Sequence, residues 1–103
     1  MGETWPVTVR YTLPALADLE AILDHVTEHS PQGARRIKTS IQAVERLLAQ
    51  HPLSGAQTRL PWLRRIKTSF YPHLIFYEVV GSDVVIHAVR HSARDPSSMP
   101  DSE

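Results

Sequence analysis

Apolar residues recur along this chain in two rhythms, and the rhythm changes twice. Residues 6–11 alternate, with Val7, Val9 and Tyr11 on one side and Thr8 and Arg10 on the other. That alternation predicts a half-buried strand from Pro6 to Tyr11, with proline tolerated at its first position. Leu16, Leu19, Ile22, Leu23 and Val26 then follow at steps of three and four. They predict an amphipathic helix capped by Thr12, with Pro14 in its first turn, that stops near His29. Asp18, Glu20 and Asp24 fall on its solvated side. Ser30-Pro31 supplies a fresh cap and first helical residue. Ala34, Ile37, Ile41, Val44 and Leu48 carry a second helix to about Gln50. So short a link predicts two antiparallel helices side by side, an αα-hairpin, with Arg35, Arg36 and Lys38 facing away from it.

From Leu63 to Arg94 the period returns to two. The stretch reads LRRIKTSFYPHLIFYEVVGSDVVIHAVRHSAR. Its β-branched and aromatic runs are separated by Tyr71-Pro72 and by Gly81-Ser82-Asp83. This predicts a three-stranded antiparallel meander over Leu63 to Phe70, His73 to Val80 and Val84 to His91. Alternation puts Arg65 and Lys67 on one face, and Arg64, Ile66 and Phe70 on the other. Arg90, His91 and Arg94 gather at the exit of the last strand. The predicted fold is α+β: a strand, the αα-hairpin, then the meander, with the helices on one face of a twisted sheet. Trp62 reads as a core anchor, and the residues after Arg94 as an unpacked tail.

Composition narrows the chemistry. A chain of 103 residues reads as one domain, with a core at about residues 5–96. It has no cysteine, which excludes disulfides and thiolate metal sites. No apolar run is long enough for a membrane span, and MGETWPV lacks the features of a signal peptide. A cytoplasmic protein is therefore expected. The formal net charge is zero but unevenly spread. Residues 59–94 carry six Lys/Arg against two acids, and residues 95–103 carry three acids and no base. The meander is thus a local basic surface on a neutral chain. That balance argues against nonspecific nucleic-acid binding, which draws on many phosphate contacts. No Gly-rich phosphate loop, H-E-x-x-H or G-x-S-x-G occurs. His25 and His29 stand four apart, but nothing nearby completes a metal site. No cofactor is expected.

LIFYEV, VVIHAV and RHSARDP, in this order after a strand and two helices, resemble the RelE/ParE superfamily of toxin–antitoxin toxins. HSARDP is most similar to the ParE-type, plasmid-stabilisation branch, and the likeness covers about residues 5–96. Pro52-Leu53-Ser54-Gly55 matches a P-x-x-G frequent in the family. The resemblance implies a toxin that inhibits DNA gyrase by protein–protein contact. Its contact group would be Arg90, His91 and Arg94, and a cognate ParD-like antitoxin would neutralise it in a hetero-oligomer. Direct sequence-specific nucleic-acid binding is not implied.

Two alternatives stay open: a ribosome-dependent mRNA interferase of RelE type, and a non-toxic binding module kept for its antitoxin. For the nuclease, the resemblance maps two lysines onto Arg65 and Lys67. It places two arginines at Leu74 and Ser92, and a tyrosine near Ser98, so those groups are lost. Tyr71, His73 and Arg94 would have to replace them.

Overall fold

The computed structural model describes residues 7–70, 73–93 and 96–102. The expectations for residues 1–6, for the turn at Tyr71-Pro72 and for Arg94 and Asp95 concern positions outside these. The described chain runs β1 (Thr8–Tyr11), α1 (Leu13–His29), α2 (Pro31–Gln50), β2 (Ala56–Gln57), β3 (Arg64–Lys67), β4 (His73–Val80) and β5 (Asp83–His91). A single 3-10 turn, Pro96–Ser98, follows.

The caps predicted for the helices form. The Thr12 side chain accepts from the Ala15 N–H at 3.1 Å, and Ser30 accepts from the Gly33 N–H at 3.0 Å. Ser30 also ends α1, donating its own N–H to the Val26 carbonyl at 2.7 Å. One residue thus closes one helix and opens the next, which forces the hairpin.

The sheet has five strands in the order β1-β5-β4-β3-β2. The meander β3-β4-β5 is antiparallel throughout, while β1 adds to β5 in parallel, with Val9 opposite Val84 and Tyr11 opposite Ile86. A parallel neighbour needs a long crossover, and the helical hairpin and meander supply it. Gly81, at φ 58°, opens the two-residue turn between β4 and β5, a left-handed conformation that glycine adopts without steric cost. β2 was not foreseen: two residues of the 51–63 loop pair with β3.

β3 ends sooner than its apolar pattern suggests. Thr68 still pairs with His73 through its backbone, and its hydroxyl also takes the His73 N–H at 3.0 Å. Phe70 then leaves the sheet, giving its N–H to Ser40 of α2 at 3.2 Å.

Both faces of the sheet carry packing. On the helix side, Ile75, Tyr77, Val84, Ile86 and Val89 meet Ala15, Ile37, Ile41, Val44 and Leu48. Val9, Tyr11 and Ile66 join them half-buried. On the outer side Leu63, Phe76 and Ala88 form a second, smaller cluster, with Leu60, Leu74 and Met99 at its edge. A bulge in β5 adjusts the two faces. Phe76 pairs with Ala88 but Tyr77 with Ile86, so His87 is the extra residue.

Two expectations fail here. Trp62 is no core anchor: it is 51% exposed, while its neighbour Leu63 is fully buried. The chain turns tightly at this point, with the Leu63 N–H on the Leu60 carbonyl at 3.0 Å. Leu63 therefore plugs the outer cluster, and Trp62 lies edge-on to His87 with ring centroids 5.6 Å apart. The C-terminal residues are no unpacked tail either. Residues 96–102 fold back over the outer face, where Met99 packs and Asp101 is half-buried.

Candidate functional site

The cations of the meander sit on the outer face, and the sheet's alternation puts them there. Leu63 points outward into the small cluster, so Arg65 and Lys67 follow it to the same side and are exposed. Arg64, between them, is held by the preceding loop. Its guanidinium donates to the Gly55 carbonyl at 2.9 Å and to the Leu53 carbonyl at 3.4 Å.

The same loop is pinned from below by Tyr77. The Tyr77 hydroxyl donates to the Pro52 carbonyl at 2.8 Å and accepts the Gly55 N–H at 2.9 Å. A Cβ on Gly55 would lie 2.5 Å from that hydroxyl, so only glycine fits. The P-x-x-G segment is therefore a structural clamp. Burial raises the Tyr77 pKa above the ordinary tyrosine value, with the Gly55 N–H and the Arg64 charge pulling the other way.

His73 lies on the opposite face from the outer cations. Lys67 pairs with Leu74, so His73, one residue earlier, points to the helix side, where it is 2% exposed. There it stands across from His91, ring edge to face at 5.5 Å. The two line a cavity of about 430 Å³ with Asp18, Ala21, Ile22, His25, Val26 and Val89. Among the described residues no group of three His, Cys, Asp or Glu side chains is placed to hold a metal ion. Of the five groups named for a nuclease, the structure brings Arg65 and Lys67 together and keeps His73 apart. Tyr71 and Arg94 lie outside the described residues.

Arg90 and His91, neighbours on one strand, point to opposite sides. His91 is exposed, and its ring accepts the Ala93 N–H at 3.0 Å. Arg90 bends round the edge of the sheet to Asp18 of α1, with which it forms a close ion pair. Asp18 also accepts the Val89 N–H at 3.1 Å. β1 reaches only as far as Ile86 along this edge, so the donor at Val89 has no strand partner there, and the carboxylate replaces one. Asp18 is therefore a link between helix and sheet, where the helical periodicity placed it on the solvated side.

Sequence reasoning also missed the tail's contacts. Arg65 pairs with Asp101 at 3.6 Å. Arg59 donates to the carbonyls of Asp101 and Ser102, and Arg90 reaches the Ser98 carbonyl at 3.4 Å. The local charge asymmetry, a basic meander before an acidic end, was the only signal of this closure.

Among the described residues no helix is long and apolar enough to cross a membrane.

Comparison with known proteins gives a consistent set of relatives. The profile of the ParE toxin of type II toxin–antitoxin system, parDE, matches residues 9–96. Toxin RelE2 of Caulobacter vibrioides is 35% identical over 86 residues, covering 84% of this chain and 96% of the relative. Among solved structures, the chromosomal ParDE system of P. aeruginosa superposes with a TM-score of 0.70 at 25% identity, over 82% of this chain and 95% of that one. The RelBE2 toxin–antitoxin complex of Mycobacterium tuberculosis shares the fold, with a TM-score of 0.57 at 22% identity, over 84% of this chain and 99% of that one.

Proposed function

The chain belongs to the ParE family of type II toxin–antitoxin toxins, and from that premise we propose that it acts by binding its target, DNA gyrase, and not by cutting RNA. The observation that carries this reading is the split across the sheet. A ribonuclease must bring a proton carrier and cations to one phosphate. Here Arg65 and Lys67 lie on the outer face, while His73 is buried on the helix side. Two cations on one strand bind phosphate without moving a proton. A binding toxin needs no such convergence. Of the expected contact group Arg90, His91 and Arg94, Arg90 is held by Asp18 of α1, so in this reading exposed His91 and Arg94 carry the contact.

The neutralising partner in this reading is a ParD-like antitoxin. Leu13 and Leu16 of α1, 81% and 41% exposed, and Leu47 of α2, 39% exposed, sit at the same end of the helical hairpin. An amphipathic segment of such a partner would cover them. Co-expression with an adjacent antitoxin gene is expected to give a hetero-oligomer on size-exclusion chromatography.

The toxin's action is tested by running two assays on one preparation. The protein is expected to block gyrase supercoiling or trap cleaved DNA, and to leave mRNA intact on translating ribosomes. Codon-positioned mRNA cuts with normal supercoiling would replace this reading with a RelE-type interferase. Silence in both would point to a binding module without toxicity.

A further inference from the structure

The outer face of the sheet is built to hold a short acidic segment, and the chain's own C-terminal residues show the fit. Ala88 stands opposite Phe76, and with Leu63 the two form a small buried apolar cluster. Met99 packs there, against Leu63, Phe76 and Ala88. Two residues on, the Asp101 carboxylate faces Arg65. The carbonyls between and around these anchors go to arginines: Ser98 to Arg90, Asp101 and Ser102 to Arg59. The seat is thus an apolar centre rimmed by Arg59, Arg65 and Lys67, with Arg90, itself paired with Asp18, at its edge, the pattern of a protein-recognition patch. Of the acids near it, Glu78 is already engaged with His87 at 2.9 Å.

What holds the segment down is modest. Its one packed apolar side chain is half-buried, and its ion pair, at 3.6 Å, joins a largely buried Asp101 side chain to an Arg65 side chain that is 48% exposed. Contacts of this kind are each weak. Few buried apolar contacts and many solvent-exposed hydrogen bonds mark a segment that opens locally, without global unfolding. Its hold comes from tethering, since a short linker gives an effective concentration of about millimolar.

We propose that this face is a recognition surface for an acidic peptide segment of a partner protein, with an apolar residue two positions before an aspartate, and that residues 96–102 occupy it as a displaceable strap. A partner carrying that pattern competes with the strap. The surface stays closed until such a partner is present at a concentration that outweighs the tether.

The test uses the full chain and a fluorescein-labelled synthetic peptide of residues 96–102, followed by fluorescence anisotropy. The double variant Met99→Ser, Asp101→Asn releases both anchors of the strap. It is expected to bind the peptide at least about tenfold more tightly than wild type, because the in-cis competitor is gone. Asp101→Asn alone is expected to give a smaller gain in the same direction. Adding Arg65→Glu to the double variant is expected to abolish binding, and a peptide with serine in place of its methionine is expected not to bind. Unchanged affinity in a double variant that keeps its circular-dichroism signal would overturn the proposal. An equal gain for an RNA heptamer would overturn it too, by making the surface a phosphate site. Loss of the folded signal in the double variant would do the same, since a displaceable strap cannot be required for the fold.

Discussion

The two faces of this sheet are made from the same strands, yet they are organised differently. On the helix side the alternating residues are apolar, and two helices seal them in a cluster of ten buried side chains. Even the polar groups there serve structure. The hydroxyl of Tyr11 on β1 donates to the Glu45 carboxylate of α2, and Asp18 caps the edge of β5. On the outer side the buried cluster among the described residues is smaller, Leu63, Phe76 and Ala88. Around them stand arginines and a lysine, closed over by a seven-residue segment whose contacts are mostly polar. One face fixes the fold, and the other is closed by a lightly held segment. Stability is concentrated on the face that the two helices seal.

Truncation of the core should separate the faces most clearly. Ile37→Ala on the helix side is expected to cost about 3 kcal/mol, because helices on one side and strands on the other limit collapse of the cavity. Leu63→Ala on the outer face should cost nearer to about 2 kcal/mol, since half-buried Met99 and Leu60 can move in. Urea unfolding of both variants checks this, and equal losses would erase the distinction.

Gly55→Ala comes next. The new Cβ would meet the Tyr77 hydroxyl at 2.5 Å and the Arg65 carbonyl at 2.8 Å. A loss of about 2 kcal/mol is expected, in the range for overpacked sites. Tyr77→Phe in the same background should recover part of it by removing the nearer clash. Thermal melts of the two variants measure the recovery.

The inner face should also reveal itself in alkali. Burial, then the Glu45 hydrogen bond and charge, raise the Tyr11 pKa well above the ordinary tyrosine value, and burial raises that of Tyr77. Their unfolded counterparts ionise near pH 10. Above that pH the unfolded chain loses these protons while the folded chain keeps them, so stability is complete below about pH 10 and falls as pH rises. A melting temperature that declines from about pH 10 upward, and declines less in Tyr11→Phe, is expected.

The smallest effect belongs to the strap. Met99→Ser with Asp101→Asn should lower stability by about 1 kcal/mol or less, as fits one half-buried side chain and one partly exposed ion pair.

The fold was legible in the sequence because its large elements are periodic over many residues. Ile37, Ile41, Val44 and Leu48 on one stripe, and β4 and β5 with a Gly81 turn between them, needed no tertiary knowledge. What escaped depended on position in space. β2 is two residues long and has no period to detect. Trp62 and Leu63 are both apolar, and only the tight turn decides which is buried. Asp18 looked solvated because helical periodicity cannot show that β1 stops short along the β5 edge. The tail's single Met99 gave no apolar pattern, and its seat is formed by residues far away in sequence. For the candidate site, alternation placed Arg65 and Lys67 together on one face. It could equally have shown that His73 falls on the other side, once the pairing of Lys67 with Leu74 was fixed.

The central claim is that toxicity resides where β5 leaves the sheet, and that the outer cations of β3 are not a catalytic pair. The most direct measurement is inhibition of gyrase supercoiling by two double variants, each confirmed as folded by circular dichroism. Arg65→Ala with Lys67→Ala should inhibit as wild type does, while His91→Ala with Arg94→Ala should lose inhibition by tenfold or more, about 1.4 kcal/mol of binding. Full inhibition by the second variant, with loss in the first, would contradict the account.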